Sequence, residues 1–130
     1  MSEFVPFEIA KRLNDIGYPQ YNSYKSYFIG DNDKRYMEIE SLINRSKRAE
    51  DFHLIAAPTI SQVMKWLRDE KDIFIEITVD VNDKFNYYFG IYKKGNDTWE
   101  YIGQNDTYDY FEMYEEVALA GVKYTLDNLI

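Results

Sequence analysis

A chain of 130 residues with 45% hydrophobic and 18% aromatic content is long enough for one folded domain with a core of its own. It has no cysteine, which removes disulfides, thiolate nucleophiles and sulfur-ligated zinc together, and its net charge of −8 opposes general binding to nucleic acid, whose affinity comes from counterions displaced by clustered lysine and arginine. No run approaches the roughly 20 apolar residues that span a bilayer, and the opening around Glu3 lacks the basic-then-apolar order of a secretory leader, so the expectation is a cytoplasmic protein.

In chain order, Pro6 suits the first helical position, Ile9, Leu13 and Ile16 form a stripe, and Gly17 followed by Pro19 is a stop. Residues 24–29 and 35–40 read as strands around a turn at 30–34, with a short third strand at 54–57 and a loop or insertion at 41–52. Thr59 and Gln62 make a capping box, and Ile60, Val63, Met64 and Leu67 share one helical face with Trp66 at its flank. The period then changes to two: Ile73, Ile75, Ile77, Val79 and Val81 alternate with Phe74, Glu76, Thr78 and Asp80.

Turn length sets the register of the next strand. A loop of Asn82, Asp83 and Lys84 pairs Val81 with Phe85 and continues the core face through Tyr87, Phe89 and Ile91, whereas a shorter loop would put Lys84 among the isoleucines. The same arithmetic, with Gly95, Asn96 and Asp97 as the next turn, directs Trp99 and Tyr101 inward. Asp109 with Glu112 repeats the capping logic, and Phe111, Tyr114, Ala118, Gly121, Val122, Thr125, Leu126 and Leu129 trace a closing helix. The predicted fold is a single α+β domain over 1–130: helix, β-hairpins, helix, three-stranded antiparallel meander, and a C-terminal helix packed on one sheet face. Residues 59–130 are its better-defined half.

Catalytic constellations are scarce. His53 is the single histidine, so no histidine pair can hold a metal, and its place before the 54–57 strand suggests a structural or surface role. Asp31, Asn32 and Asp33 begin like a calcium loop, but Arg35 takes a ligand position, and a hairpin turn is the better reading. No nucleophile elbow, Walker loop or dinucleotide fingerprint occurs. Carboxylates at Asp106, Asp109, Glu112, Glu115 and Glu116 are the acid and base a hydrolase would use, and equally an acidic face that mimics DNA; a solvated helix face accounts for them without either. The expectation is no catalytic residue, no metal and no cofactor. Double-stranded RNA-binding domains share the helix, three strands, helix order, but their phosphate-gripping lysines are replaced here by Asp109, Glu112, Glu115 and Glu116.

The outer face of the meander is the candidate site. It is expected to carry Phe74, Thr78, Tyr88, Tyr92 and Ile102 among Glu76, Asp80, Asn86, Gly90 and Glu100, which is too apolar for water. Either the upstream hairpin or a second subunit covers it, or rigid aromatics meet a partner there. Gly90 between Tyr88 and Tyr92 would let another backbone approach. Lys93 and Lys94, or Arg45, are candidate phosphate contacts if the ligand is a nucleotide or similar signal; with Lys47 and Arg48 they otherwise read as solvated surface.

The block LIAAPTISQVMKWLR at residues 54–68 with the following IFIEI, the opening FEIAKRL ending in Gly17, and the closing YEEVALAGVKYTL at 114–126 resemble a group of small uncharacterised phage and prophage proteins of Bacteroidales bacteria. The resemblance spans about half the chain, and P-T-x-x-Q-V-x-x-W-L-R is its most specific part. Residues 41–52 are an insertion relative to that group, and Val117 replaces an expected alanine. The group brings no known activity or catalytic residues. It implies only an intracellular, mobile-element setting. The scarcity of catalytic groups and the aromatic sheet face lead separately to the expectation of a non-enzymatic binding protein that engages a protein partner or itself.

Overall fold

The computed structural model describes residues 4–20, 25–29, 36–40, 54–80, 86–104 and 113–130, which divide between a unit of Phe4–Thr59 and a unit containing Ile60–Ile130. In the first unit Pro6 is extended (ψ 164°) and stands as the N-cap of α1 (Phe7–Asp15), one position before its predicted place inside the helix. Phe7, Ile9, Ala10 and Leu13 form the buried face of α1, while Ile16 has moved out of the stripe to become the C-cap. Gly17 then adopts φ +95°, and the Gly17 and Tyr18 amides donate to the Asn14 and Leu13 carbonyls at 3.2 and 2.9 Å. That pair of bonds is a Schellman closure, which needs a residue without a Cβ at its left-handed position.

Strands β1 (Lys25–Ile29), β2 (Tyr36–Glu40) and β3 (Leu54–Ala56) form an antiparallel sheet in the order β2-β1-β3. Tyr27 on the central strand is buried edge-on against Phe7, ring centroids 5.5 Å apart, and its hydroxyl donates to the Val5 carbonyl at 2.7 Å. Gln20 protects the edge at β3: its carbonyl oxygen accepts the Ala56 amide at 2.8 Å, and its amide donates to the Tyr18 carbonyl at 2.9 Å. Ser26 is fully buried, and among the described residues its Oγ has no hydrogen-bond partner. A hydroxyl in that position costs about 1–3 kcal/mol of desolvation with nothing in return. Ser26→Ala is therefore expected to stabilise the protein by about 1 kcal/mol, seen as a higher urea midpoint with an unchanged slope.

The second unit begins with α2 (Ile60–Lys71), immediately after Thr59 as predicted, with Ile60, Val63 and Leu67 buried. One residue joins it to the sheet: Asp72 takes the left-handed conformation (φ 56°), which short polar side chains tolerate, and its carbonyl accepts the Lys94 amide at 2.9 Å. Strands β4 (Ile73–Asp80), β5 (Asn86–Lys94) and β6 (Trp99–Gln104) form the antiparallel meander in sequence order. Ile75 lies opposite Ile91, Ile77 opposite Phe89 and Val79 opposite Tyr87, the register that a loop of residues 82–84 dictates. The loop itself, with Val81 and Phe85, lies outside the described residues.

Helix α3 (Tyr114–Asn128) packs on β4 and β5, and α2 packs on β4 and against α3, so the buried side of the sheet is the side of Ile73, Ile75, Phe89 and Ile91. The result is an α+β fold. One expectation fails at the end of β4. Val79, expected inside, is 41% exposed. The apolar alternation of β4 runs on past its cover: Ile73 and Ile75 are buried, Ile77 is half-buried and Val79 is exposed. The described closing helix opens at Tyr114, with Met113 as N-cap and no side-chain capping bond. Asp109, Phe111 and Glu112 lie outside the described residues; Glu115 and Glu116 stand in the first turn, where acidic groups interact favourably with the helix dipole. No described helix is long and apolar enough to cross a membrane.

Candidate functional site

The site rests on β6, where the prediction of facing is reversed. The chain turns over Asn96 and Asp97, with the Gly95 amide donating to the Thr98 carbonyl at 2.7 Å, so Lys94 pairs with Trp99 and Tyr92 with Tyr101. The predicted three-residue turn differs from this by one position, and one position is enough to send every side chain of the strand to the opposite face. Trp99 and Tyr101, expected in the core, are 42% and 54% exposed on the outer face. Beyond them a register shift restores the pairing of Ile91 with Gly103 and leaves Ile102 as the extra, unpaired residue, exposed at the bulge.

The flip gathers aromatics across all strands of the sheet. Phe74 on β4 packs against Tyr92 on β5 and Trp99 on β6, centroids 6.3 and 6.1 Å apart, and Tyr92 meets Tyr101 at 5.4 Å. Gly90 sits under this cluster: a Cβ there would lie 3.7 Å from the Tyr101 ring and 3.8 Å from the Tyr92 ring. Gly90 is buried by its neighbours' rings, so the approach of a foreign backbone expected at that glycine is already filled. Tyr88, opposite Thr78, is half-buried on the same face.

Arg68, Phe74, Glu76, Tyr92 and Trp99 enclose an open hollow of about 410 Å³. Among the described residues its wall is three aromatic rings with the charged side chains of Glu76 and Arg68. The Arg68 Nε lies 3.3 Å from Asp69 Oδ1, and Lys65 Nζ lies 3.2 Å from Asp69 Oδ2. Hydrogen bonds from Lys65 and Arg68 hold the exposed Asp69 carboxyl below the usual carboxylate range. A smaller hollow beside it, along the edge of β4, is touched by both Phe74 and Ile75. β4 is an edge strand, and its two faces stay distinct in burial: Ile75 is 4% exposed and Phe74 37%.

The Tyr92 phenol is held above the usual tyrosine range, chiefly because its hydroxyl donates to the Glu76 carboxylate and further through partial desolvation and the neighbouring charge. The protonated phenol is the form that makes the bond, so its contribution is complete below the ordinary tyrosine pKa and is lost as pH rises through the elevated one. An ultraviolet difference titration of the protein against Tyr92→Phe is expected to show this phenol ionising later than an ordinary tyrosine. In Glu76→Gln its ionisation is expected to move back toward the ordinary range.

Of the predicted site residues, the structure brings Phe74 and Tyr92 together, keeps Tyr88 and Ile102 on the periphery, and separates the lysines. Lys94 lies on the aromatic face opposite Trp99, whereas Lys93 lies opposite Ile73 on the other face. Sequence reading missed Trp99, Tyr101 and Arg68. The Asn-Asp pair after Gly95 was the signal for the first two, as the tip of an even-numbered turn. His53, Arg45, Lys47, Arg48, Asp31, Asn32, Asp33 and Asp106 lie outside the described residues. Among the described residues no three histidine, aspartate or glutamate side chains converge as metal ligands would. No protein-family model, no curated protein and no solved structure matches the chain.

Proposed function

We propose that this protein acts by binding another protein through the outer face of β4, β5 and β6, without chemistry of its own, as a phage or prophage accessory factor inside the host cell. The observation that carries this reading is the contiguous cluster of Phe74, Tyr92, Trp99 and Tyr101 on an open pleated face beside Arg68. Tryptophan, tyrosine and arginine are the residues that dominate binding energy at protein interfaces, because they present large rigid surface with little conformational entropy to lose. The phage setting rests on the resemblance of the 54–68 block and the closing helix.

A nucleotide ligand is supported less well, since Lys93 and Lys94 project from opposite faces of β5 and do not form one phosphate grip. Of the carboxylates a hydrolase would use, Asp106, Asp109 and Glu112 lie outside the described residues, and Glu115 and Glu116 are half-exposed and exposed on the first turn of α3 and do not line the aromatic hollow. The test is a pull-down from host lysate, with light-scattering mass measured in parallel, comparing the native protein with Trp99→Glu and Tyr101→Glu. The expected result is a specific partner lost from both variants while their unfolding midpoints are unchanged. A partner profile and mass that the substitutions leave untouched would sink the reading.

A further inference from the structure

We propose that the hollow beside Trp99 takes the side chain of an arginine presented by the protein partner, the guanidinium lying against the Phe74, Tyr92 and Trp99 rings and donating to the Glu76 carboxylate. This rests on the protein-binding reading above and adds the chemistry of what is bound.

Charge complementarity selects a cationic guest. Glu76 is the acidic group in a described lining of three aromatic rings and Arg68, and among the described residues no lysine or arginine pairs with it. Its hydrogen bond from the Tyr92 hydroxyl engages part of its accepting capacity, and an ionised carboxylate has about four lone-pair sites, so acceptors remain for a second donor. The cation of the lining has a carboxylate of its own: Arg68 Nε lies 3.3 Å from Asp69, which also receives Lys65. Aromatic faces attract cations through the negative potential above the ring, most strongly at tryptophan. The chain uses that attraction elsewhere, with Lys71 Nζ 5.4 Å from the centre of the Trp66 ring.

Two further observations narrow the guest. The net charge of −8 draws cationic segments toward the surface and repels anionic ones. The hollow is open and its walls are tilted rings, 50° and 59° between Phe74 and its two neighbours, which suits a flat guanidinium sliding along a ring better than the closed box that grips a spherical quaternary ammonium. At about 410 Å³ it accommodates one long side chain and its flanks.

The test uses the full chain at physiological salt and a blocked tripeptide, acetyl-Gly-Arg-Gly-amide, followed through the Trp99 indole N–H signal in nuclear magnetic resonance. The chain has 2 tryptophans, so Trp99→Phe assigns that signal. Saturable millimolar binding is expected, weakened about tenfold by Glu76→Gln and by Phe74→Ala, both of which keep the Trp99 signal, and kept by the charge-matched Glu116→Gln. Arg68→Gln is expected not to weaken it. The isosteric citrulline peptide is expected not to bind. Equal affinity for citrulline, indifference to Glu76→Gln, or weakening by Arg68→Gln would each overturn the proposal while leaving partner capture by the native face intact. Loss of the partner interaction itself would be seen separately, in the Trp99→Glu and Tyr101→Glu pull-downs. A native mass that doubles, and reverts in Glu76→Gln, would assign the hollow to a second copy of this chain and also overturn it.

Discussion

Gly121→Ala is expected to destabilise the protein by about 1–3 kcal/mol, although the same exchange at an open helical position is stabilising by about 1 kcal/mol. The reversal comes from where α3 crosses the sheet. A Cβ at Gly121 would stand 2.8 Å from Ile75 Cγ2 and 3.4 Å from Phe89 Cγ. Neither neighbour yields easily. Ile75 is β-branched, hence stiff at χ1, and both side chains are nearly fully buried. Lifting the helix instead would open the contacts of Val117, Val122 and Leu126 on the same face. The backbone is also tied at this point, since Thr125 Oγ1, itself buried, donates to the Gly121 carbonyl at 2.9 Å. Urea unfolding of Gly121→Ala, Ile75→Ala and the double variant measures the effect directly. In the Ile75→Ala background the added methyl fills space in place of a clash, so there Gly121→Ala is expected to stabilise. A cycle with no coupling between the two positions would show that the close approach is absent.

The two registers of the meander show what the sequence made legible and what it did not. Between β4 and β5 an apolar alternation on both strands favours the three-residue loop, because a two-residue one puts Lys84 among the isoleucines, and the pairing of Ile75 with Ile91 follows. Between β5 and β6 there is no such constraint. The strand reads Trp-Glu-Tyr-Ile-Gly-Gln, with Trp99 and Tyr101 on one side and Ile102 on the other, so either facing leaves a large apolar group on each side and the pattern alone does not choose. Turn chemistry and a bulge decide it, and the bulge at Ile102 has no signature in the residues around it. The candidate site was therefore half readable: Phe74 and Tyr92 come from the constrained pair, and Trp99 and Tyr101 from the unconstrained one. Arg68 was hidden for a different reason. It belongs to the polar run that closes α2, and its place beside the outer face depends on how tightly Asp72 turns the chain into β4.

The division of the sheet into a packed side and a binding side makes its sharpest prediction at two phenylalanines. Phe89 is 3% exposed, touches the ring of Tyr124 at a centroid distance of 5.7 Å, and lies beneath Gly121. Phe89→Ala removes a fully buried ring from the layer between α3 and the strands and is expected to cost about 3–5 kcal/mol, a loss large enough to leave the unit partly unfolded at room temperature. Phe74 lies one strand over and on the reverse side, 37% exposed and supported by rings that are themselves half in water. Its removal gives up edge contacts with Tyr92 and Trp99 but opens no sealed cavity, so Phe74→Ala is expected to cost about 1 kcal/mol or less. The two substitutions should also differ in kind. Phe89→Ala lowers the unfolding midpoint and reduces binding only in proportion to the folded fraction, whereas Phe74→Ala leaves the midpoint nearly in place and weakens the partner interaction by removing a wall of the hollow. Comparable destabilisation by both would mean that the aromatic face is sealed in the folded molecule, and a surface that is sealed cannot be the one that meets a partner.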